Sequence, residues 1–133
     1  MTDARRILAL CLLLTPLLSQ AAALDDLLQQ YAAEAQRPFS AEAGKRMWTQ
    51  THPSPKGGPD RSCSLCHGED LTRAGKHART GKKIDPLAPS VNPERLTKAK
   101  HMRKWLKRNC KWVLGRECTA QEKGDFLSYI RSQ

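Results

Sequence analysis

A chain of 133 residues has room for one domain of ordinary size and not for two. Lys and Arg outnumber Asp and Glu by 23 to 13, a formal charge of +10. A field of that sign favours acidic protein partners or anionic surfaces.

The first segment reads as a leader rather than part of the domain. Arg5 and Arg6 precede an apolar run, residues 7–18, broken only by Thr15 and Pro16, and Ala21, Ala22 and Ala23 then supply small residues for cleavage. That order is the signature of a secretory signal peptide. The apolar run of about a dozen residues is shorter than the roughly 20 that a spanning helix needs. It also lacks the charged face of an amphipathic anchor. Cys11 lies inside it and leaves with it. The expected layout is a signal peptide over residues 1–23, cleaved near Ala23, and one periplasmic domain over residues 24–133. The mature part keeps 21 Lys+Arg (23 less Arg5 and Arg6) and 12 Asp+Glu (13 less Asp3), a formal charge of +9. Export excludes nucleic acid, the other usual partner of such a charge. A domain this small gains from a cofactor or a disulfide. Four cysteines remain, Cys63, Cys66, Cys110 and Cys118. An oxidising compartment permits disulfides without deciding which pairs form.

Residues 25–37 read as a helix, with Leu24, Leu27, Leu28 and Tyr31 at helical spacing and Pro38 as its stop. Ser40 caps a second helix that carries Gly44, Met47 and Trp48 on one side. Residues 51–61 hold three prolines and two glycines and form a loop. Residues 68–91 are irregular, with no evident strand. A loop that long is uncommon unless something fills its interior. Asn92 as N-cap and Pro93 as first helical residue open the clearest helix, which runs to about Asn109. Leu96, Ala99, Met102, Leu106 and Asn109 share one face of it, and the positions between are mostly Lys and Arg. Thr119 and Glu122 form a capping box that starts the last helix, which presents Phe126, Leu127 and Ile130 with Tyr129 beside them. The fold class is all-α with long loops.

Cys63-Ser64-Leu65-Cys66-His67 is the attachment pattern for c-type haem. Two thiols three residues apart on one helical turn reach two vinyl groups of a porphyrin and form thioethers. The next residue then points its imidazole at the iron. A thioredoxin-like pair would need a βαβ setting, which is absent. A zinc site would need Cys110 and Cys118, whose spacing makes no usual ligand knuckle. A disulfide between Cys63 and Cys66 would leave His67 unexplained. The expectation is one covalent haem c on Cys63 and Cys66, with His67 as an axial ligand.

Gly44 and Trp48 on an early helix, with Phe126 and Tyr129 on the last, resemble the crossed terminal helices of class I cytochromes c. That family also sets a proline carbonyl on the other nitrogen of the proximal histidine. Pro86 and Pro89 are both candidates here.

The second axial ligand decides the function. A thioether holds ferrous iron well and makes an electron carrier. Met102 is the only methionine after the motif, 35 residues past His67 (102 less 67). It equally suits the helix core. His52, His77 or His101 could instead give a bis-histidine iron.

A narrower resemblance bears on this point. Thr80-Gly81-Lys82-Lys83-Ile84-Asp85-Pro86-Leu87-Ala88-Pro89-Ser90, then Asn92-Pro93-Glu94-Arg95, looks like the sphaeroides haem protein (SHP) group of cytochromes c. So do Lys104-Trp105-Leu106-Lys107-Arg108-Asn109-Cys110 and Gly115-Arg116-Glu117-Cys118-Thr119-Ala120. The resemblance covers about residues 39–130. It implies a class I cytochrome c-like fold, Asn109 as distal iron ligand, Cys110 joined to Cys118, and binding of oxygen or nitric oxide in the reduced state. A neutral carboxamide is a weak, hard ligand, tolerable to ferric iron and poor for ferrous iron. Reduction would therefore release Asn109. The resemblance also implies redox partner cytochromes, a dihaem cytochrome c and a membrane b-type cytochrome among the candidates, and a monomer. Whether the small diatomic gas ligand is turned over, as in an oxygen- or nitric oxide-dependent oxidoreductase, stays open. The alternative is a plain electron-transfer cytochrome with a permanent Met102 or histidine ligand.

Overall fold

The computed structural model describes residues 16–54 and 57–133, with the backbone alone over residues 16–21. Most of the expected leader, residues 1–15, lies outside the described residues. Among the described residues no helix is long and apolar enough to cross a membrane.

The first helix, α1 (Pro16–Ala32), buries Leu24, Leu27 and Leu28, the expected stripe. It ends at Ala32, short of the expected Arg37. The chain there bonds elsewhere: Gln36 and Arg37 both donate their backbone N–H to Gln121 Oε1 at 3.1 Å. The Arg37 guanidinium reaches the buried Asp125 carboxylate at 2.6 Å. These long-range bonds replace the next helical turn.

Helix α2 (Ala41–Thr49) begins where expected, with Ser40 Oγ accepting from the Ala43 N–H at 3.1 Å. It packs across α5 (Ala120–Arg131), whose capping box of Thr119 and Glu122 is complete. The contact is close because Gly44 has no side chain. A Cβ there would fall on the carbonyl of Asp125 and come within 2.8 Å of Tyr129 Cβ. Trp48 then meets Phe126 and Tyr129 edge-on, with ring centroids 6.3 and 5.7 Å away. The crossed helices expected from these four residues are present.

Between them lies α3 (Ser64–His67), the single turn of the haem motif. Sequence reading expected no strand after it, yet β1 (Gly75–Lys76) and β2 (Lys83–Ile84) form a small antiparallel hairpin, Gly75 opposite Ile84. Two residues per strand are too few for alternation to show in a sequence.

The clearest correction concerns α4 (Ala99–Leu114), expected to start at Asn92–Pro93 and end near Asn109. Asn92 does not cap a helix; its Nδ2 donates sideways to the Pro86 carbonyl at 3.0 Å, and Arg95 N–H closes a turn on the Asn92 carbonyl. Leu96, expected on the helix face, sits at φ +60° and breaks the path. The helix then starts after Lys98 and continues past Asn109 to Gly115, a left-handed cap at φ +72°. Asn109 is therefore an interior helix residue and not a cap.

Two apolar clusters form the core. One gathers Trp48, Leu71, Ala88, Cys110, Cys118, Phe126 and Tyr129; the other gathers Leu24, Leu27, Leu28, Met102 and Leu127. Cys110 and Cys118 are joined, with Cα atoms 5.5 Å apart. The bridge ties α4 to the start of α5.

Candidate haem site

A cavity of about 790 Å³ opens between α3, the hairpin, α4 and α5. That is within the roughly 300–1,000 Å³ of small-molecule and cofactor sites. Its lining is mostly apolar, and it includes Cys63, Cys66, His67, Met102, Leu106, Asn109, Phe126 and Leu127.

The attachment turn is held by many short bonds. Ser62 Oγ accepts from the Leu65 N–H at 3.0 Å. Trp48 Nε1 donates to the Gly68 carbonyl at 2.9 Å, and its ring lies 5.5 Å from that of His67. Gly75 presses on the turn from outside, where a Cβ would strike the Cys66 carbonyl and come within 2.9 Å of His67 Cα. The Ala78 N–H approaches Cys66 Sγ at 3.3 Å.

Electrostatics set the form of these donors. Burial holds the His67 imidazole down to about 4, with the charges of Arg95 and His77 adding to the effect. The ring is therefore neutral at ordinary pH, which is its metal-binding form. Burial, then the neighbouring Cys66, pushes the Cys63 thiol up to about 12. A thiol so reluctant to ionise is a poor redox nucleophile, since the thiolate is the reactive species. This argues against a thioredoxin-like pair.

Neither candidate proline supports His67. Its buried Nδ1 has no hydrogen-bond partner, and the Pro86 carbonyl is taken by Asn92 Nδ2 and Arg95 Nε. The other histidines divide. His52 pairs its backbone with Arg61 away from the cavity wall. His77 lines the cavity, but its Nδ1 accepts from the Arg79 and Thr80 N–H groups at 3.3 and 3.1 Å. His101 is an exposed residue on the rim.

Both Asn109 and Met102 line the cavity, but Asn109 is an exposed residue, whereas Met102, about two turns earlier, is buried among Leu24, Leu27, Leu28 and Leu127. Among the described residues no three His, Cys, Asp or Glu side chains gather to hold a metal ion, and the Cys110–Cys118 bridge removes two of the four cysteines a zinc site would use. The residues present fit a haem: paired thiols, a neutral imidazole with an orphaned nitrogen, and a large cavity mostly apolar in lining.

Sequence reading missed Arg61 and Arg95. Arg61 stacks over Trp112 at 4.7 Å and donates to its carbonyl at 2.9 Å, joining the attachment loop to α4. Arg95 fastens the Pro86 turn by donating to the carbonyls of Pro86 and Asp85, both at 2.9 Å. Neither carries a local signal, because an arginine that bonds a distant carbonyl looks in a sequence like any surface arginine.

This combination of fold and donors defines a c-type cytochrome. The family model described as a domain of unknown function, DUF1924, matches residues 34–130. The chain is 47% identical over 108 residues to the cytochrome c-type protein SHP of Cereibacter sphaeroides, covering 80% of this chain and 81% of that protein. It superimposes on the structure of oxidised SHP, described as an oxygen-binding cytochrome c, with TM-score 0.74 and 44% identity over 83% of this chain and 96% of that one. The solution structure of Methylophilus methylotrophus cytochrome c″, which addresses haem-ligand detachment, aligns with TM-score 0.72 and 28% identity over 85% and 95% of the two chains. The chain belongs to the SHP-like family of cytochromes c, and its cofactor is haem c.

Proposed function

We propose that the protein is an exported, monomeric cytochrome with one covalent haem that binds oxygen or nitric oxide where Asn109 gives way on reduction. The observation that carries this reading is the contrast on α4. Both Asn109 and Met102 line the cavity shared with Cys63, Cys66 and His67, but Asn109 is an exposed interior helix residue, while the Met102 side chain is buried against the leucines of the core. A helix-capping role for Asn109 is excluded by the five residues of helix beyond it, and a purely packing role does not suit an exposed carboxamide.

Haem c supplies, when bound, an iron that changes oxidation state and accepts a small diatomic ligand. Cys63 and Cys66 would hold it by thioethers, and His67 would offer a neutral imidazole from the same turn. Asn109 offers a carboxamide oxygen, a weak hard donor suited to the oxidised cation and poor for the reduced one. Met102 and Leu106 keep the neighbouring wall apolar, which favours a neutral diatomic over water. Relatives described as an oxygen-binding cytochrome c and as a protein with haem-ligand detachment support the reading. Its electrons come from a partner cytochrome in the periplasm, a dihaem cytochrome c or a membrane b-type cytochrome.

The test is optical spectroscopy of the purified holoprotein. The ferric form is expected to be six-coordinate. Dithionite should convert it to a five-coordinate, high-spin ferrous form that binds carbon monoxide readily at neutral pH. A reduced protein that stays low-spin and ignores carbon monoxide would establish the plain electron carrier instead.

A further inference from the structure

Helix α4 has three sides of different chemistry. Taking 3.6 residues per turn, Asn109, Met102, Val113 and Leu106 lie within an arc of about 60° facing the cavity and core. Lys100, Lys104, Lys107, Arg108 and Lys111 lie within an arc of about 100° on another side, from which Arg108 and Lys111 also reach the cavity wall. Trp105 and Trp112, seven residues apart and thus about 20° from each other, form the seam between the two. The helix contains no Asp or Glu.

Two features of the basic side point to a partner. First, its charge is poorly neutralised by the fold. Lys107 and Lys111 share a single carboxylate, Glu117, at 3.6 and 3.3 Å. Among the described residues Lys100, Lys104 and Arg108 have no carboxylate within salt-bridge distance. Second, the aromatic seam is dressed with cations. Arg108 and Lys104 stand over the Trp105 ring at 5.2 and 5.6 Å; Trp105 and Arg108 also line the cavity, so this seam marks its mouth. Tryptophan and arginine side by side on an exposed face are the residues that dominate binding energy at protein interfaces. Uncompensated charge around them speeds the encounter with a surface of opposite sign.

We infer that the basic face of α4, centred on Lys100 and Lys104 and bounded at the cavity mouth by Trp105 and Arg108, is the docking surface for an acidic electron-donor protein. The inference rests on the reading of this chain as a haem protein reduced by a partner, and it adds where that partner sits. Docking there sets the donor against the helix that carries Asn109, so the donor's approach and the candidate distal ligand share one rigid element.

Reduced flavodoxin, an acidic one-electron protein donor, is a suitable probe in stopped-flow reduction of the ferric holoprotein. The wild-type rate should fall steeply from about 0.01 M to 0.1 M salt, as the Debye length shrinks from about 30 to 10 Å. At the lower salt the Lys100→Glu, Lys104→Glu double variant should react at least about ten-fold slower. The Lys45→Glu, Lys76→Glu variant, with the same change in net charge on other faces, should stay within about two-fold of wild type. Reduced lumiflavin, small and neutral, should reduce all three at similar rates, showing an intact haem site. Equal slowing of both double variants by flavodoxin would mean that only net charge matters, and would overturn the proposal. So would equal flavodoxin rates in both, with the α4 variant alone losing co-sedimentation with phosphatidylglycerol vesicles, because the face would then serve a membrane. Failure of the ferrous protein to bind carbon monoxide would refute the gas-binding reading and leave these rates to judge the docking face on their own.

Discussion

The attachment turn and helix α4 line one cavity but are fastened in different ways. Around the turn, Ser62, Trp48 and Tyr129 bond to successive backbone groups of residues 65–69, and Leu71 accepts from both Leu87 and Ala88. Gly75 lets the hairpin lie directly on the Cys66 and His67 backbone. Helix α4 is held instead by side chains: Met102, Leu106 and Val113 in or against the core, Arg103 on Gln30, Arg61 on the Trp112 carbonyl and the bridge at Cys110. Asn109 lies beside the bridge, at an exposed position on the cavity wall. One wall fixes the backbone that carries its donor and suits a permanent ligand, and the other offers Asn109 from an exposed side chain on a packed helix and suits one that lets go.

Breaking the first wall should have the largest effect. Cys63→Ala with Cys66→Ala removes both thioether positions, so the chain should lose haem and fold poorly, the cavity being otherwise an unfilled space between helices. Wild-type protein made with the attachment machinery should keep its haem through acid-acetone extraction and denaturing gels. Haem that is extracted from wild type as readily as from the double variant would refute covalent attachment.

The second wall should respond to loss of its staple. Cys110→Ala with Cys118→Ala opens a loop with a sequence separation of 8. In the chain-entropy account a bridge of that span stabilises by about 2–3 kcal/mol. Chemical denaturation of the holoprotein should show a loss of that order. Because the bridge lies beside Asn109, the ferric spectrum should broaden toward a mixture of coordination states. The comparison would collapse if stability fell while the ferric spectrum stayed sharp and unchanged, since α4 would then not depend on its ties to aim Asn109.

How much of this was legible beforehand depended on the range of the interaction. The haem motif, the Ser40 cap and the Thr119–Glu122 box are local in sequence, and each was found where expected. The crossing of α2 and α5 could be anticipated because Gly44 and its aromatic neighbours are the residues such a contact needs. The start of α4 was misplaced by six residues or more, since Asn92–Pro93 is a sound start signal that tertiary bonds to Pro86 redirected. The support of His67 by a proline carbonyl is a contact between distant segments, and the structure gives the Pro86 carbonyl to Asn92 and Arg95 instead. The early end of α1 has the same origin, in Gln121 and Asp125 nearly ninety residues away along the chain. Asn109 stood out only through the family resemblance. A lone asparagine on a helix face has no local signal.

The smallest expected change in stability carries the most information about the second wall. Asn109 is exposed and interior to its helix, so Asn109→Ala removes no core contact and slightly improves helix propensity. In the ferrous protein, where the proposal leaves Asn109 without a bond to iron, stability should change by no more than about 0.5 kcal/mol. Met102→Leu keeps the volume of a residue buried among four leucines, and should cost less than about 1.5 kcal/mol in either oxidation state. The two substitutions then part on spectroscopy. Asn109→Ala should alter the ferric spectrum and leave the ferrous one nearly untouched, because in the proposed reading only the oxidised iron would use that side chain. Met102→Leu should leave both spectra as they are. The opposite pattern, with Met102→Leu converting a low-spin ferrous protein into one that takes up carbon monoxide, would make Met102 the ligand. Asn109 would then be a polar residue on a cavity wall, and the contrast between the two walls would lose its functional meaning.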